Sequence, residues 1–394
     1  MPTISEKAGK IENRSVGQVS AKRIPELDGI RGLAILLVVL WHFVAVPMKP
    51  ATHSGFAPIW TLLGVSWTGV DLFFVLSGFL IGGILLDNRE SQNYFKSFYV
   101  RRVCRIFPIY YLLVFAYFAV ALVDFGEKAG ELKPLMNNPM PFWSYVTFTQ
   151  NLVMTHKTTF GCGWLAMTWS LAIEEQFYLI LPFVVRFVPR NRLPWVLLGG
   201  AILAPCMRWA LLYFERRDAL AAGYVMMPCR ADALLLGVLG AYAIRSPEIC
   251  ERLMKHRGRL YAGFCVLLMG IIGIAIYSSY FLSYNVTFWG RSWLALFYLF
   301  LLMIPVVYRE GFLAAIMRTA LLRKLGLISY GVYLVHQIVL ALTLAFLFPG
   351  TERTAAALAL PTLVAFILTI ALALALYQFI EKPIIRLGHQ FRYK

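Results

Sequence analysis

The chain has 394 residues, 60% of them hydrophobic and only 14% charged, with a mean hydropathy of +0.69. That much apolar sequence exceeds what a soluble core needs and places the chain among polytopic membrane proteins. The formal charge of +17 does not point to nucleic acid, because the basic residues fall in short clusters between apolar runs, where membrane topology accounts for them.

Residues 1–23 are polar, carry Lys7, Lys10, Arg14, Lys22 and Arg23, and lack hydrophobic periodicity, which predicts a disordered cytoplasmic tail. Apolar runs of roughly the 20 residues that a bilayer requires then lie at about 30–48, 67–86, 106–123, 164–188, 194–214, 223–244, 260–280, 290–308, 326–348 and 357–380. Ten runs predict an all-α, multi-pass fold with both termini cytoplasmic. That orientation puts 27 Lys and Arg inside and 8 outside, as the positive-inside rule requires. The run from Leu33 to Val46 has the length of a signal-peptide core and is read as an uncleaved first span. Residues 143–154 are apolar but too short to cross, so they are read as a re-entrant or interfacial piece. Residues 389–394 form a short basic tail. The six cysteines, at 104, 162, 206, 229, 250 and 265, show no metal-ligand or redox spacing and are read as buried hydrophobes, with no metal site expected.

Ionisable side chains inside spans cost about 2.5–3.5 kcal/mol at mid-helix, which makes each a functional candidate. The first span opens with Asp28-Gly29-Ile30-Arg31 and reaches His42 eleven residues later. Eleven residues are close to three turns, so Arg31 and His42 share a face about 16 Å apart, one at the water boundary and one near mid-depth. The other candidates are Asp71, Glu174 and Glu175, Arg208, Arg230 with Asp232, and His336. For Asp71, and for Arg230 with Asp232, a buried pair tying two helices together stands beside a functional role.

On the fourth span the four-residue steps put Ser170, Glu174 and Tyr178 on one stripe. On the ninth, Ser329, Tyr333 and His336 share another. His42, Glu174 and His336 therefore reach mid-depth from three different helices. At the cytoplasmic mouth, Arg102 and Arg105 lie on adjacent turns and form a fork suited to bidentate phosphate binding; Arg101 beside them reads as topology alone. With Arg31 at the same depth, three arginines ring a place for a polyanionic ligand.

These residues, in their order and spacing, resemble the membrane-bound acyltransferase family 3, the O-acyltransferases of cell-surface saccharides, lipids and some antibiotics. The resemblance covers about 24–388 and rests on Ile24-Pro25-Glu26-Leu27-Asp28-Gly29-Ile30-Arg31-Gly32, the Arg31 to His42 spacing, Gly69-Val70-Asp71-Leu72-Phe73-Phe74, Arg102 with Arg105, Trp169-Ser170-Leu171 with Glu174, Arg230-Ala231-Asp232, and Ser329-Tyr330-Gly331-Val332-Tyr333 with His336. It implies a ten-helix fold in a bacterial-type cytoplasmic (inner) membrane, an acyl-CoA donor on the cytoplasmic side, and essential roles for Arg31, His42, Arg102 and Arg105. Acetyl is the family's usual acyl group. Some members carry a further periplasmic hydrolase-like domain after the tenth span; with Lys394 as the last residue, such a domain is expected as a separate protein.

The combined expectation is an O-acyltransferase working on a hydroxyl of a cell-envelope saccharide. Arg31, Arg102 and Arg105 hold the CoA phosphates, His42 acts as general base or as covalent acyl carrier, and Glu174 orients His42. Asp71, Arg230, Asp232, Ser170, Tyr178 and His336 are expected to contact the acceptor. A lipid or secreted small molecule is the alternative acceptor. A proton-coupled transporter is the competing class, since intramembrane His, Glu and Asp also mark ion paths. The oligomeric state is left open.

Overall fold

The computed structural model describes residues 24–47, 60–61, 63–123, 129–214, 219–277, 281–350 and 354–394. The tail at 1–23 lies outside them. Among the described residues every regular element is a helix. In chain order these are α1 (Pro25–Leu40), α2 (Gly69–Asp87), α3 (Tyr94–Val120), α4 (Ala129–Met136), α5 (Phe142–Val146), α6 (Gln150–Lys157), α7 (Trp169–Phe187), α8 (Leu193–Phe214) and α9 (Ala219–Val225). They continue with α10 (Met227–Ala243), α11 (Pro247–Lys255), α12 (Arg257–Tyr277), α13 (Arg291–Val307), α14 (Phe312–Met317), α15 (Ala320–Leu342), α16 (Ala355–Leu376) and α17 (Lys382–Gly388).

Nine stretches among the described residues are long and apolar enough to cross a membrane, and the chain is a multi-pass membrane protein. The fourth predicted span falls on α7, whose 19 residues equal the length of α2. Glu174, Glu175 and Arg186 are what set α7 apart from the nine. The third helix starts at Tyr94, twelve residues before the predicted 106, because the arginine cluster continues the helix below the apolar run. The segment at 143–154 does not cross. It forms α5 and α6, broken at Phe148, whose φ of 54° is left-handed and unusual for a bulky residue. Two of its polar side chains are tied to the bundle: buried Gln150 donates to the Thr168 carbonyl at 2.9 Å, and buried Asn151 to the Val225 carbonyl at 3.0 Å.

Two helix pairs set the frame of the site. Where α1 meets α15, a Cβ on Gly32 would lie 1.9 Å from the Leu322 carbonyl oxygen, and one on Gly326 1.9 Å from that of Asp28. Where α2 meets α10, Gly78 and Gly237 leave no more room, with 1.9 Å to the Leu234 oxygen and 2.1 Å to the Val75 oxygen. Glycine lets backbones approach this closely in a membrane, where association depends on packing and not on exclusion of water. The closing residues 389–394 are docked: Asn93 bonds the Arg392 carbonyl at 2.7 Å and the Lys394 amide at 2.9 Å, and Arg101 donates to the Phe391 carbonyl at 2.9 Å. That occupies Arg101 away from its neighbours Arg102 and Arg105.

Candidate active site

Helix α1 enters with Pro25 at its first turn and acidic Glu26 and Asp28 beside its N-terminal dipole. Arg31 follows one turn on, 3.3 Å from Asp28. The helix then widens into a π-helical turn at Trp41–Ala45, a feature frequent at functional sites. His42 lies in that turn, with Nδ1 2.9 Å from the Val38 carbonyl oxygen.

Arg31, Arg102 and Arg105, contributed by α1 and α3, line one cavity of about 190 Å3 together with Ser170, Glu174 and Tyr178 of α7 and Ser329 and Tyr333 of α15. The first polar stripe read from the sequence thus faces this space whole, and the second does so at Ser329 and Tyr333 but not at His336. Tyr178 donates to Glu174 at 2.7 Å and shares a short hydrogen bond with Ser77, and the Arg102 guanidinium lies 6.0 Å from the Tyr178 ring centre. No carboxylate among the described residues forms an ion pair with Arg102 or Arg105. His389, just beyond the last span, is held below the usual histidine range by burial first and then by the charges of Arg101, Arg105 and Arg102. The positive field of these three arginines therefore reaches His389.

His42 lines a second cavity, of about 210 Å3, walled by the aromatic rings of Trp41, Trp67, Phe160, Trp169, Tyr224 and Phe281. Val70 and Tyr333 border both cavities and form the wall between them. Tyr333 is fixed there: its hydroxyl lies 2.5 Å from Ser170 Oγ and donates to the Met167 carbonyl at 3.0 Å. A shallower opening on the far side of His42 is lined by His42, Gln337 and Gly163 among others. Three cavities therefore follow one another through shared lining residues, the first and second at Val70 and Tyr333, the second and third at His42 and Gln337.

Several sequence expectations take a different form in three dimensions. Glu174, expected beside His42, lies on the arginine side of the Tyr333 wall and has Tyr178 as its partner; the side chain that meets His42 is His336, with Nε2 3.2 Å from His42 Nδ1. Ser170 and Tyr178 sit in the arginine cavity, not with His42. His336, expected to touch the acceptor, is fully buried, and both of its ring nitrogens are engaged by protein atoms.

Asp71, Arg230 and Asp232 were also expected at the acceptor. They are 1–2% exposed, and none borders the two main cavities. Arg230 and Asp232 do not pair with each other, since residues two apart point to different sides of a helix. Arg230 binds Asp71 at 2.5 Å, and Asp232 binds Arg208 at 2.9 Å and Ser292 at 2.7 Å. Arg291 completes the cluster 3.7 Å from Asp71, sandwiched by the rings of Tyr224 at 4.4 Å and Trp67 at 4.7 Å. Sequence reading had counted Arg291 as an outer topological charge. Its helical position at the start of α13, before a long apolar run, was the available signal. Among the described residues no group of three His, Cys, Asp or Glu is placed to hold a metal ion.

The sequence is similar to known proteins over most of its length. The chain is 30% identical over 344 residues to the peptidoglycan O-acetyltransferase OatA of Listeria monocytogenes, covering 82% of this chain and 50% of the relative. It is 28% identical over 388 residues to the putative peptidoglycan O-acetyltransferase YrhL of Bacillus subtilis, with 92% and 55% covered. A putative O-acetyltransferase of Staphylococcus aureus is 26% identical over 394 residues, with 94% and 59% covered. The chain thus spans about half the length of the curated relatives it matches. No solved structure matches. A family model described as an acyltransferase domain matches residues 24–378, nearly all of the helical bundle and every polar residue of the two cavities, and the chain belongs to that family, the membrane-bound acyltransferases of family 3.

Proposed function

We propose that this chain transfers an acyl group, acetyl in the first instance, from acyl-CoA to a hydroxyl of a cell-envelope saccharide. One observation carries the reading: two cavities meet at a wall of Val70 and Tyr333, one lined by three arginines and the other by a histidine among aromatic rings. The forked guanidinium groups of Arg102 and Arg105 suit phosphate oxygens, and Arg31 adds a third charge. The apolar remainder of the first cavity, at Phe73, Leu76 and Leu80, suits the uncharged pantetheine arm. The aromatic lining around His42 suits the apolar face of a sugar ring. The relatives' names, with acetyl as the group and peptidoglycan as the acceptor of two of them, favour a short acyl chain and a glycan. The excess of Lys and Arg on the arginine side of the bundle favours a cytoplasmic donor in the cytoplasmic membrane.

In the proposed reaction the thioester reaches the wall at Val70 and Tyr333, where its carbonyl carbon meets the acceptor from the side of the second cavity. His42 takes the proton of the acceptor hydroxyl, the oxygen bonds to the carbonyl carbon, the carbon–sulfur bond breaks, and the thiolate leaves with the proton from His42. Glu174, held by Tyr178, offsets part of the arginine charge.

The decisive experiment uses the protein in lipid vesicles with labelled acetyl-CoA and a soluble glycan acceptor. Transfer is expected for the native chain, and His42→Ala is expected to lose about 10²–10⁴-fold in kcat while inserting normally. Unchanged turnover in His42→Ala would overturn the reading. A labelled acyl-protein formed from donor alone would replace the general base with a covalent carrier.

A further inference from the structure

A neutral imidazole has one proton and one lone pair on its ring nitrogens, so its ability to take a proton at a given side depends on which tautomer the surroundings select. The protein partners of His42 and His336 make that selection. His336 is fully buried, and its Nδ1 lies 2.7 Å from the Tyr333 carbonyl oxygen and 3.1 Å from that of Val332. Carbonyl oxygens only accept hydrogen bonds, so the proton of His336 is on Nδ1 and its lone pair on Nε2. That Nε2 lies 3.2 Å from His42 Nδ1, which also has the Val38 carbonyl oxygen at 2.9 Å. Two acceptors converge on His42 Nδ1, so its proton is there as well. The lone pair of His42 is left on Nε2, the nitrogen with no hydrogen-bond partner among the described residues, on a ring that borders the second cavity.

We infer that His336 is a positioning residue: anchored by the carbonyls of Val332 and Tyr333, it fixes His42 as the Nδ1–H tautomer and leaves Nε2 as the proton acceptor. The inference rests on the proposed acyl transfer and deepens it. Its chemistry parallels the carboxylate behind the histidine in a Ser-His-Asp triad, which holds the tautomer and supports the imidazolium as it forms. Here a neutral imidazole does that work. A carboxylate at the same depth would carry a desolvation cost even at rest, whereas His336 is polar only through hydrogen bonds that are already made.

When the acceptor O–H breaks, its proton goes to His42 Nε2, and the Nδ1–H bond to His336 Nε2 becomes charge-assisted. When the thiolate leaves, the same Nε2 proton goes with it. The protons on His336 Nδ1 and His42 Nδ1 stay where they are throughout. The close approach of α1 and α15 at Gly32 and Gly326 brings the two rings together, and the π-helical turn of His42 leaves its Nδ1 reaching both Val38 and His336.

The test reads the tautomer directly. The protein is labelled with ¹⁵N-histidine in lipid bilayers, and the His42 signals are identified in solid-state spectra by their loss in His42→Gln. The expected result at neutral pH is a protonated Nδ1 and a bare Nε2. In His336→Leu the tautomers should mix; in His336→Gln, whose amide oxygen accepts from His42 Nδ1, the native form should return. Steady-state transfer should follow, with kcat lowered about 10- to 100-fold in His336→Leu, as when outer partners that fix a histidine tautomer are removed. The donor Michaelis constant should hold and His336→Gln should recover most of the rate. A protonated Nε2 on His42 in the native protein overturns the inference even if no variant folds, as does an equal loss of rate in both variants with the tautomer unchanged. The expected tautomer in a protein that transfers no acyl group would support the pairing and count against the proposed function.

Discussion

The bundle contains two groups of three arginines, and they are built in opposite ways. Arg208, Arg230 and Arg291 are 0–1% exposed and face Asp71, Asp232 and aromatic rings on four helices. Arg31, Arg102 and Arg105 border an open cavity, with Asp28 on one flank and Glu174 across the space. Residue type is the same in both groups, and so is the ratio of three arginines to two carboxylates, so neither distinguishes a structural arginine from a ligand-binding one. Burial and pairing do. Each arginine of the sealed cluster has a carboxylate within 4 Å, whereas Arg102 and Arg105, half-buried at the cavity, form no ion pair among the described residues.

The largest effect should come from breaking the sealed cluster. Asp71→Ala strands Arg230 and Arg291 in the interior and is expected to destabilise the fold by about 3–5 kcal/mol, read as a lower unfolding temperature in detergent. A stable, active Asp71→Ala protein would dissolve the distinction between the groups. The cavity cluster should behave in reverse. Replacing Arg102 and Arg105 by Gln is expected to change stability by less than about 1 kcal/mol, because no ion pair is lost. At about 1.5–3 kcal/mol for each charge-assisted hydrogen bond, the donor Michaelis constant should rise at least tenfold; an unchanged constant would return these arginines to topology.

The smallest effect sharpens the same contrast at a distance. His389 is depressed by burial and by Arg101, Arg105 and Arg102, so its neutral form is favoured in the folded state. Its contribution to stability is present above the ordinary histidine range and is lost as pH falls through it. A bound polyphosphate should offset the arginine charge and move the His389 titration upward toward its ordinary value. Proton chemical shifts with and without acetyl-CoA would show this, and a downward movement would place the anion elsewhere.

Much of this was legible in the sequence because membrane depth and helical period are one-dimensional quantities. Apolar run length located the nine stretches that are long and apolar enough to cross, and the four-residue step put Ser170, Glu174 and Tyr178 on one stripe that does face one cavity. Spacing also separated Arg102 and Arg105 from Arg101. Partners across helices were not legible. Glu174, His42 and His336 all reach similar depth, and depth alone does not say which two touch. The answer depends on the crossing of α1 and α15, fixed by glycines whose role appears only when both helices are present. A similar limit hid the Arg230 to Asp71 pair, 159 residues apart in the chain. The burial of Arg291 was not legible for another reason: a residue at a span boundary can point outward to water or fold back under aromatic rings, and only the packing of Tyr224 and Trp67 decides.

The wall at Val70 and Tyr333 has a consequence for the membrane itself. Openings near its two sides come within one phenol ring and one isopropyl group of meeting, yet Tyr333 is pinned by Ser170 and the Met167 carbonyl. A polar path joined end to end through a bilayer would conduct protons and small ions and run down the potential that the membrane stores. In the proposed acyl transfer, a plug of side chains tied to α7 at one atom would let donor and acceptor approach from opposite sides while the electrical seal of the membrane stays intact.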